Sequence, residues 1–480
     1  MTGVGGLGSG YAVGGRLVLS SAHVTGPVGT RVQVFHPGGS GTADATVVWS
    51  GTPGEQDDAA LVLVDDSPHW RPPSAAVRWG RLVTDRPGVQ CEAWGVPAVA
   101  QRPRQMVEVM QLAGWINPGT GFVDNQYVMD FAAVPVPRWA PEGFSPWAGL
   151  SGATVHCDRV ITGVVARSDH DRLHIVPAYV LHYDPAFRAA LAEHDGGAVN
   201  GLEAVEFQDL ADPAHDPVRR RGISNPEALL EARRQIVSFR GREDLLAELL
   251  AWCHADGFHA QLIEGPGGQG KTRLAHQLSH WLDTAYWTAL WPRAEATPEE
   301  LLQVRHAIRP LLIILDHAET RTRQLTAIVE AVADRRHTSP LKLLLLARRA
   351  GDWWHRAQTS IRLADHLGTA RTHYLTPLED DPSRRADHYR EAAYAFAAAL
   401  PLVDGMENHD WTAAAAALPP PHGLDRDVYG NVRTLHMSAL ANLLDSTRLG
   451  SNHAAPAAIG SETGAHRTVP PTKDLYGLFD

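Results

Sequence analysis

The stretch Gly265-Pro266-Gly267-Gly268-Gln269-Gly270-Lys271-Thr272 restricts what this chain can fold into more than any other. Its spacing is G-x-x-x-x-G-K-[ST]. It follows the apolar run Ala260-Gln261-Leu262-Ile263 and opens a helical pattern from Arg273 to Leu282. Glycines let backbone N–H groups turn toward an anion with no Cβ in the way, and the following helix adds its positive end. In that strand–loop–helix context Lys271 is placed to reach β- and γ-phosphates and Thr272 to offer a hydroxyl to Mg²⁺. A plain Gly-rich turn is the alternative reading, but it leaves the fixed Lys and Thr without a purpose.

The 480 residues leave room for two or three domains with separate cores. Lys and Arg number 43 against 54 Asp and Glu, a balance of −11 that argues against binding nucleic-acid backbones. Arg219-Arg220-Arg221 reads as a solvated linker run. The three cysteines, Cys91, Cys157 and Cys253, are odd in number and far apart, so neither a disulfide framework nor a cysteine zinc site is indicated. Met1 to Gly6 has no basic leader, and no stretch reaches about 18 uninterrupted apolar residues. The expectation is a cytoplasmic protein with no membrane span.

Residues 1–190 read as an all-β domain, with short β-branched runs between Gly, Pro and Asp turns. Strand candidates are Leu17–Leu19, Arg31–Phe35, Ala45–Trp49, Ala59–Val64, Val160–Val165 and Leu173–Val176, a density that suggests a sandwich or barrels. Three patches in this region carry chemistry. Ser20-Ser21-Ala22-His23 follows a strand, Asp57-Asp58-Ala59-Ala60-Leu61 opens one, and Gly149-Leu150-Ser151-Gly152-Ala153 precedes the final strands. Each alone is an ordinary turn feature.

Together, in the order His, Asp, Ser, they resemble the trypsin-like (chymotrypsin-fold) serine peptidases. G-S-G-Y and L-V-L-S-S-A-H match the family's first barrel, D-A-A-L its D-x-A-L, and G-L-S-G-A its G-x-S-G-G. The resemblance implies two six-stranded β-barrels with the site between them. It also implies Ser151 as nucleophile, His23 as general base, Asp58 orienting the imidazole, and the N–H groups of Gly149 and Ser151 binding the oxyanion. Two residues depart from the pattern. Leu150 stands where zymogen-activated members have an Asp, so activation by N-terminal cleavage is not expected, and Ala153 replaces a Gly. Ser145, six before Ser151, is expected in the specificity pocket and demands no charged substrate residue.

Residues 191–235 read as linker and hinge, with Gly196-Gly197, the Asp/Pro-rich run 209–217 and a helix start at Ser224-Asn225-Pro226-Glu227. From 236 the pattern becomes α/β. Phe239-Arg240-Gly241-Arg242-Glu243 precedes an amphipathic helix, and the phosphate-binding loop follows. Leu311–Asp316 is a buried-strand run ending in an acid suited to Mg²⁺, and Leu341–Leu346 leads into Ala347-Arg348-Arg349. Arg348 is the favoured γ-phosphate sensor.

These motifs resemble the STAND class of P-loop NTPases, which includes NACHT and NB-ARC switches. The resemblance implies an NTPase core at 236–370 and a helical lid at 371–446. It further implies ATP and Mg²⁺ held by Gly265, Gly267, Gly268, Gly270, Lys271, Thr272, Asp316, Glu319 and Arg348, and a nucleotide-dependent homo-oligomer. Glu319 is the candidate for positioning the attacking water, since His317 occupies the position next to Asp316 where many relatives carry that acid. Residues 447–480 are polar and read as a disordered tail. His276 and His280, four apart on a helix, have zinc-ligand spacing but neither an intervening Glu nor a third ligand.

The expected function is a trypsin-like peptidase controlled by a STAND switch in signalling or defence, acting on a protein substrate in response to an unknown trigger. Two alternatives stay open: a catalytically inactive peptidase-like module on an ATP-driven scaffold, and an ATP-driven unfoldase peptidase. The latter needs an aromatic pore loop and an inter-subunit arginine, which the sequence does not supply.

Overall fold

The computed structural model describes residues 1–36, 41–71, 77–101, 107–121, 123–132, 145–169, 171–195, 201–215, 223–283, 287–378 and 381–450. The linker motifs Gly196-Gly197 and Arg219-Arg220-Arg221, and the tail from 451, lie outside them.

Two antiparallel sheets build the N-terminal part. The first has seven strands in the order Gly6–Leu7, Thr2–Gly3, Arg31–Phe35, Thr42–Ser50, Ala60–Val64, Leu17–Ser20, Tyr11–Gly14. The second is a closed barrel of Val89–Gly95, Met110–Ile116, Tyr127–Phe131, Arg172–Pro177, Val160–Ser168 and Thr154–Cys157. Of the two six-stranded barrels expected, one is present as a closed barrel, whereas the other is a seven-stranded sheet whose edges do not pair among the described residues. The edge strands Gly6–Leu7 and Tyr11–Gly14 are joined by Gly8–Gly10, and that connection spends its polar groups elsewhere. Gly8 N–H goes to Met1 O, Ser9 N–H to Ser151 O, and Ser9 O accepts from the Ser20 hydroxyl.

Strands with a clean period of two were legible in the sequence, such as Arg31–Phe35, where buried and exposed residues alternate. Val89–Gly95 and Met110–Ile116 were not. Their Gly, Glu and Ala residues have low strand propensity, and it is pairing on both sides in the barrel that holds them extended.

The C-terminal part contains an all-parallel five-stranded sheet in the order Thr288–Leu290, Leu311–Leu315, Leu341–Ala347, Phe258–Glu264, Arg371–Tyr374. Leu311–Leu315 and Leu341–Ala347 are buried throughout, as strands covered by helices on both faces must be. Even Lys342 is enclosed, its ammonium donating to Ala255 O at 2.7 Å and Gly257 O at 3.1 Å. Helices Pro382–Ala399, Trp411–Ala417 and Val432–Gly450 pack through Tyr389, Phe396, Trp411 and Leu443 into a separate core.

The connection between the parts is packed rather than solvated. Phe207 and Leu210 are buried in the core of the parallel-sheet region, together with Val83 from the segment between the two β-sheets. Glu206 lies half-buried beside them and accepts from the N–H groups of Val83 and Thr84 and the Thr84 hydroxyl; loss of solvent raises its pKa, an effect these hydrogen bonds only partly offset. Arg81 donates to Trp287 O at 2.8 Å, and Asp85 is bracketed by His306 at 2.9 Å and His337 at 3.0 Å. Residues 209–215 read as linker from their Asp and Pro content; the two apolar anchors beside them explain why they lie down on the neighbouring core. Among the described residues no helix is long and apolar enough to cross a membrane.

Candidate functional site

His23 sits in the one-turn helix Ala22–Thr25, just after the buried strand Leu17–Ser20. Asp58 precedes the strand Ala60–Val64, and the pairing of Ser20 with Ala60 brings both side chains to one end of the sheet. The Asp58 carboxylate accepts from the His23 ring Nδ1 at 2.7 Å and from the His23 backbone N–H at 2.9 Å. That contact protonates Nδ1 and leaves Nε2 as the lone-pair end. Asp58 is 2% exposed. Burial alone would raise its pKa, but the hydrogen bonds from His23, the charge of that ring and an N–H from Gly54 outweigh it and leave the carboxyl below its ordinary range.

Ser151 lies on a turn leading into Thr154–Cys157. Gly152, next to it, has φ 86°, and a Cβ there would stand 2.3 Å from Ser9 O and 3.0 Å from Ser21 N, two residues before His23. Only glycine permits this approach, which is how the barrel's Ser151 reaches the first sheet's histidine helix. The Ser151 hydroxyl donates to Ala166 O at 3.5 Å, and among the described residues no hydrogen bond joins it to the His23 ring. Catalytic hydrogen bonds of this kind often tighten only around substrate.

The carbonyls around Ser151 are tied down. Ala148 O accepts from Ala98 N–H at 2.8 Å, Leu150 O from Ala153 N–H at 2.9 Å, and Ser151 O from Ser9 N–H at 2.8 Å. A trans peptide points its N–H opposite its carbonyl, so anchoring Ala148 O and Leu150 O fixes the directions of the Gly149 and Ser151 N–H groups. Among the described residues neither of those amides has a protein acceptor. Gly149 is at φ 89°, which only glycine adopts freely. Leu150 is buried in the barrel core with Trp147 and Ala153, so this position holds packing and no ion pair. Ser145 is exposed at the start of the turn.

The second cluster follows the strand Phe258–Glu264. Gly265 to Gly270 form the loop, and helix Lys271–Asp283 begins directly after it. Among the described residues no amide from Gly267 to Thr272 donates to a protein acceptor, so this run of N–H groups is available to an anion. The Lys271 ammonium donates to Gly265 O at 2.6 Å and Pro266 O at 2.9 Å. Burial lowers its pKa despite the nearby charges of Asp316 and Glu319. The Thr272 hydroxyl donates to Asp316 Oδ2 at 2.9 Å, joining the helix start to the end of Leu311–Leu315. Glu319 accepts from Arg348 N–H at 3.3 Å through Oε1, and its buried Oε2 has no partner among the described residues. A cavity of about 670 Å³ adjoins Gly267, Lys271, Thr272, Asp316 and Arg348.

Several residues at this cavity were not singled out in the sequence. Asn431 Nδ2 donates to Gly267 O at 2.7 Å, and Arg433 N–H donates to Gly268 O at 3.2 Å, placing the start of helix Val432–Gly450 on the loop. Arg433 and His436 line the cavity with Phe239 and Val237. An Asn followed by a helix was the available signal, but which loop it would touch was not. His276, paired with His280 by sequence spacing, is held by other rings. Its ring stacks on Trp291 at 4.5 Å and bonds His215 at 3.1 Å.

Comparison with known proteins gives one family match and several similar structures. Residues 230–361 match the family described as Novel STAND NTPase 5, a family that implies nucleotide binding. Solved structures similar to part of the chain include two of low identity. A mutant of human heparin binding protein shares 12% identity, with 40% of this chain and 90% of that chain covered and a TM-score of 0.29. Kallikrein-related peptidase 10 shares 18%, with 38% and 89% covered and a TM-score of 0.28. No curated protein matches the chain.

Proposed function

We propose that this chain is a serine endopeptidase whose activity is set by a STAND-type ATP switch. The observation that carries the peptidase half is the His23–Asp58 pair at 2.7 Å beside a serine turn whose Gly149 and Ser151 amides are held and unspent. In this reading the Ser151 hydroxyl gives its proton to His23 Nε2 while Oγ bonds the scissile carbonyl carbon. The carbonyl electron pair moves onto oxygen, which the two N–H groups stabilise. Collapse breaks the C–N bond and the leaving amine takes the proton from His23. Water then repeats the sequence on the acyl ester and frees Ser151. Asp58 keeps the ring oriented throughout.

In the switch half, the loop amides with Lys271 would hold ATP phosphates, and Thr272 with Asp316 would hold Mg²⁺, whose chemistry is to offset phosphate charge. Glu319 would orient water and Arg348 would sense the γ-phosphate. The packed connection through Phe207 and Leu210 supports transmission between the halves, because neither half can shift without disturbing a shared core. Protein substrate, a nucleotide-dependent homo-oligomer, a cytoplasmic setting and a role in signalling or defence complete the reading.

One observation favours the inactive-module alternative: Ser151 Oγ contacts Ala166 O rather than His23. A fluorophosphonate probe separates the two readings. Labelling of the wild type that is absent in Ser151→Ala and changes with ATP and Mg²⁺ supports the regulated peptidase. Absence of labelling in every nucleotide state points to the scaffold.

A further inference from the structure

Ser9 is 3% exposed and lies between the first sheet and the closed barrel, outside the His, Asp and Ser positions. Its four polar bonds all run to residues around the candidate site. The hydroxyl donates to Gly149 O at 2.7 Å and accepts from Val96 N–H at 3.0 Å. The backbone N–H donates to Ser151 O at 2.8 Å, and the backbone carbonyl accepts from the Ser20 hydroxyl at 2.7 Å. The fit around it is close, since a Cβ at Gly95 would stand 2.7 Å from the Ser9 hydroxyl and one at Gly152 would stand 2.3 Å from Ser9 O.

Ser9 therefore touches the two residues whose amides are unspent, yet reaches them through their carbonyls. Gly149 is the more exposed to error. Its φ of 89° belongs to a glycine whose flanking peptide planes rotate with little steric resistance. The Ala148–Gly149 plane is fixed by Ala98 at the carbonyl. The Gly149–Leu150 plane is fixed by Trp147 O on its N–H, at 2.9 Å, and by the Ser9 hydroxyl on its carbonyl. Without that hydroxyl, the part-buried Gly149 O and the buried Val96 N–H are left unpaired, and relief comes from rotating the planes beside Gly149.

We propose that Ser9 is a positioning residue for the oxyanion site, its hydroxyl holding the Gly149 carbonyl so that the Gly149 and Ser151 N–H groups stay aimed at the developing negative charge. The proposal rests on the peptidase reading. Ser9 touches neither substrate nor the reacting atoms. It acts by keeping donors preorganised, and preorganisation is where such donors have their effect.

The test is fluorophosphonate labelling of the full chain, with the maximal inactivation rate separated from the probe's initial binding constant, for wild type, Ser9→Ala, Ser9→Thr and Ser151→Ala. Loss of one oxyanion donor costs about a hundredfold or more in rate, and a misaimed donor is expected to cost about tenfold. Ser9→Ala should therefore lower the maximal rate about tenfold, leave initial binding and the pH midpoint of labelling unchanged, and recover in Ser9→Thr, which keeps a hydroxyl. A general loss of structure would instead move all three quantities. A wild-type rate in Ser9→Ala, or a rate loss accompanied by equal weakening of initial binding, overturns the proposal while leaving the peptidase reading in place. Absence of labelling in the wild type overturns that reading and this proposal with it. Where Ser9→Ala does not unfold cooperatively, Ser9→Cys, nearly the same size with a weak donor, is read in the same way.

Discussion

Asn431 donates from Nδ2 to Gly267 O at 2.7 Å while its Oδ1 accepts from the N–H groups of Arg433 and Thr434. One side chain thus caps the helix Val432–Gly450 and ties it to the Gly265–Gly270 loop. The cap is worth about 1 kcal/mol and the neutral hydrogen bond about another. On the proposed function, with the helix closing over the loop, Asn431→Ala is expected to speed release of a fluorescent ATP analogue about tenfold in stopped flow, the loss of one to two such bonds. An unchanged rate would mean that the helix does not gate the loop.

Lys271 spends its ammonium on two loop carbonyls, Gly265 O and Pro266 O, beside a run of neutral loop amides that donate to no protein acceptor among the described residues. Charge-assisted bonds are roughly twice as strong as neutral ones. Lys271→Ala is expected to weaken ATP binding at least about a hundredfold by calorimetry. The β-sheet region, whose cores do not include this residue, should keep its circular dichroism. Retained affinity would remove the loop from the nucleotide site.

Acid sensitivity follows from three histidines held neutral by burial. His182 and His276 are each pushed down to about 3 from an ordinary 6.5, and His436 to about 4, burial being the main cause in every case. The unfolded chain binds these protons near pH 6.5 and the folded chain does not. Stability is therefore complete above pH 6.5 and falls as the pH drops toward the folded values, by about 1 kcal/mol per histidine per unit. Denaturant midpoints measured between pH 7.5 and 4.5 should decline, and His276→Phe, which keeps an aromatic ring on Trp291, should flatten the slope. Equal slopes for the two proteins would show that His276 already titrates in the fold.

Much of this molecule was legible before its structure. The alternation of Arg31–Phe35, the unbroken apolar run Leu311–Leu315 and the spacing from Gly265 to Thr272 are local patterns, because side-chain period and backbone freedom are properties of neighbouring residues. Val89–Gly95 and Met110–Ile116 alternate between buried and exposed residues once in the barrel, but Gly, Glu and Ala blur that alternation in the sequence, and their partners hold them extended. Residues 209–215 misled for a related reason: their composition is that of a linker, and nothing local announces that Phe207 and Leu210 are buried in a neighbouring core.

The sequence by itself determined which residue types were available for chemistry, His23, Asp58 and Ser151 in one half and the Gly265–Thr272 loop with Asp316 in the other. Tertiary structure alone decided their contacts. It set Asp58 on His23 at 2.7 Å through a strand register, drew Gly152 against Ser21, placed Ser9 on the carbonyl of Gly149, and laid Asn431 on Gly267. Contacts of this kind join residues 35 to 164 positions apart, and only a packed core, which fixes every peptide plane at once, can hold such pairs to hydrogen-bond distance.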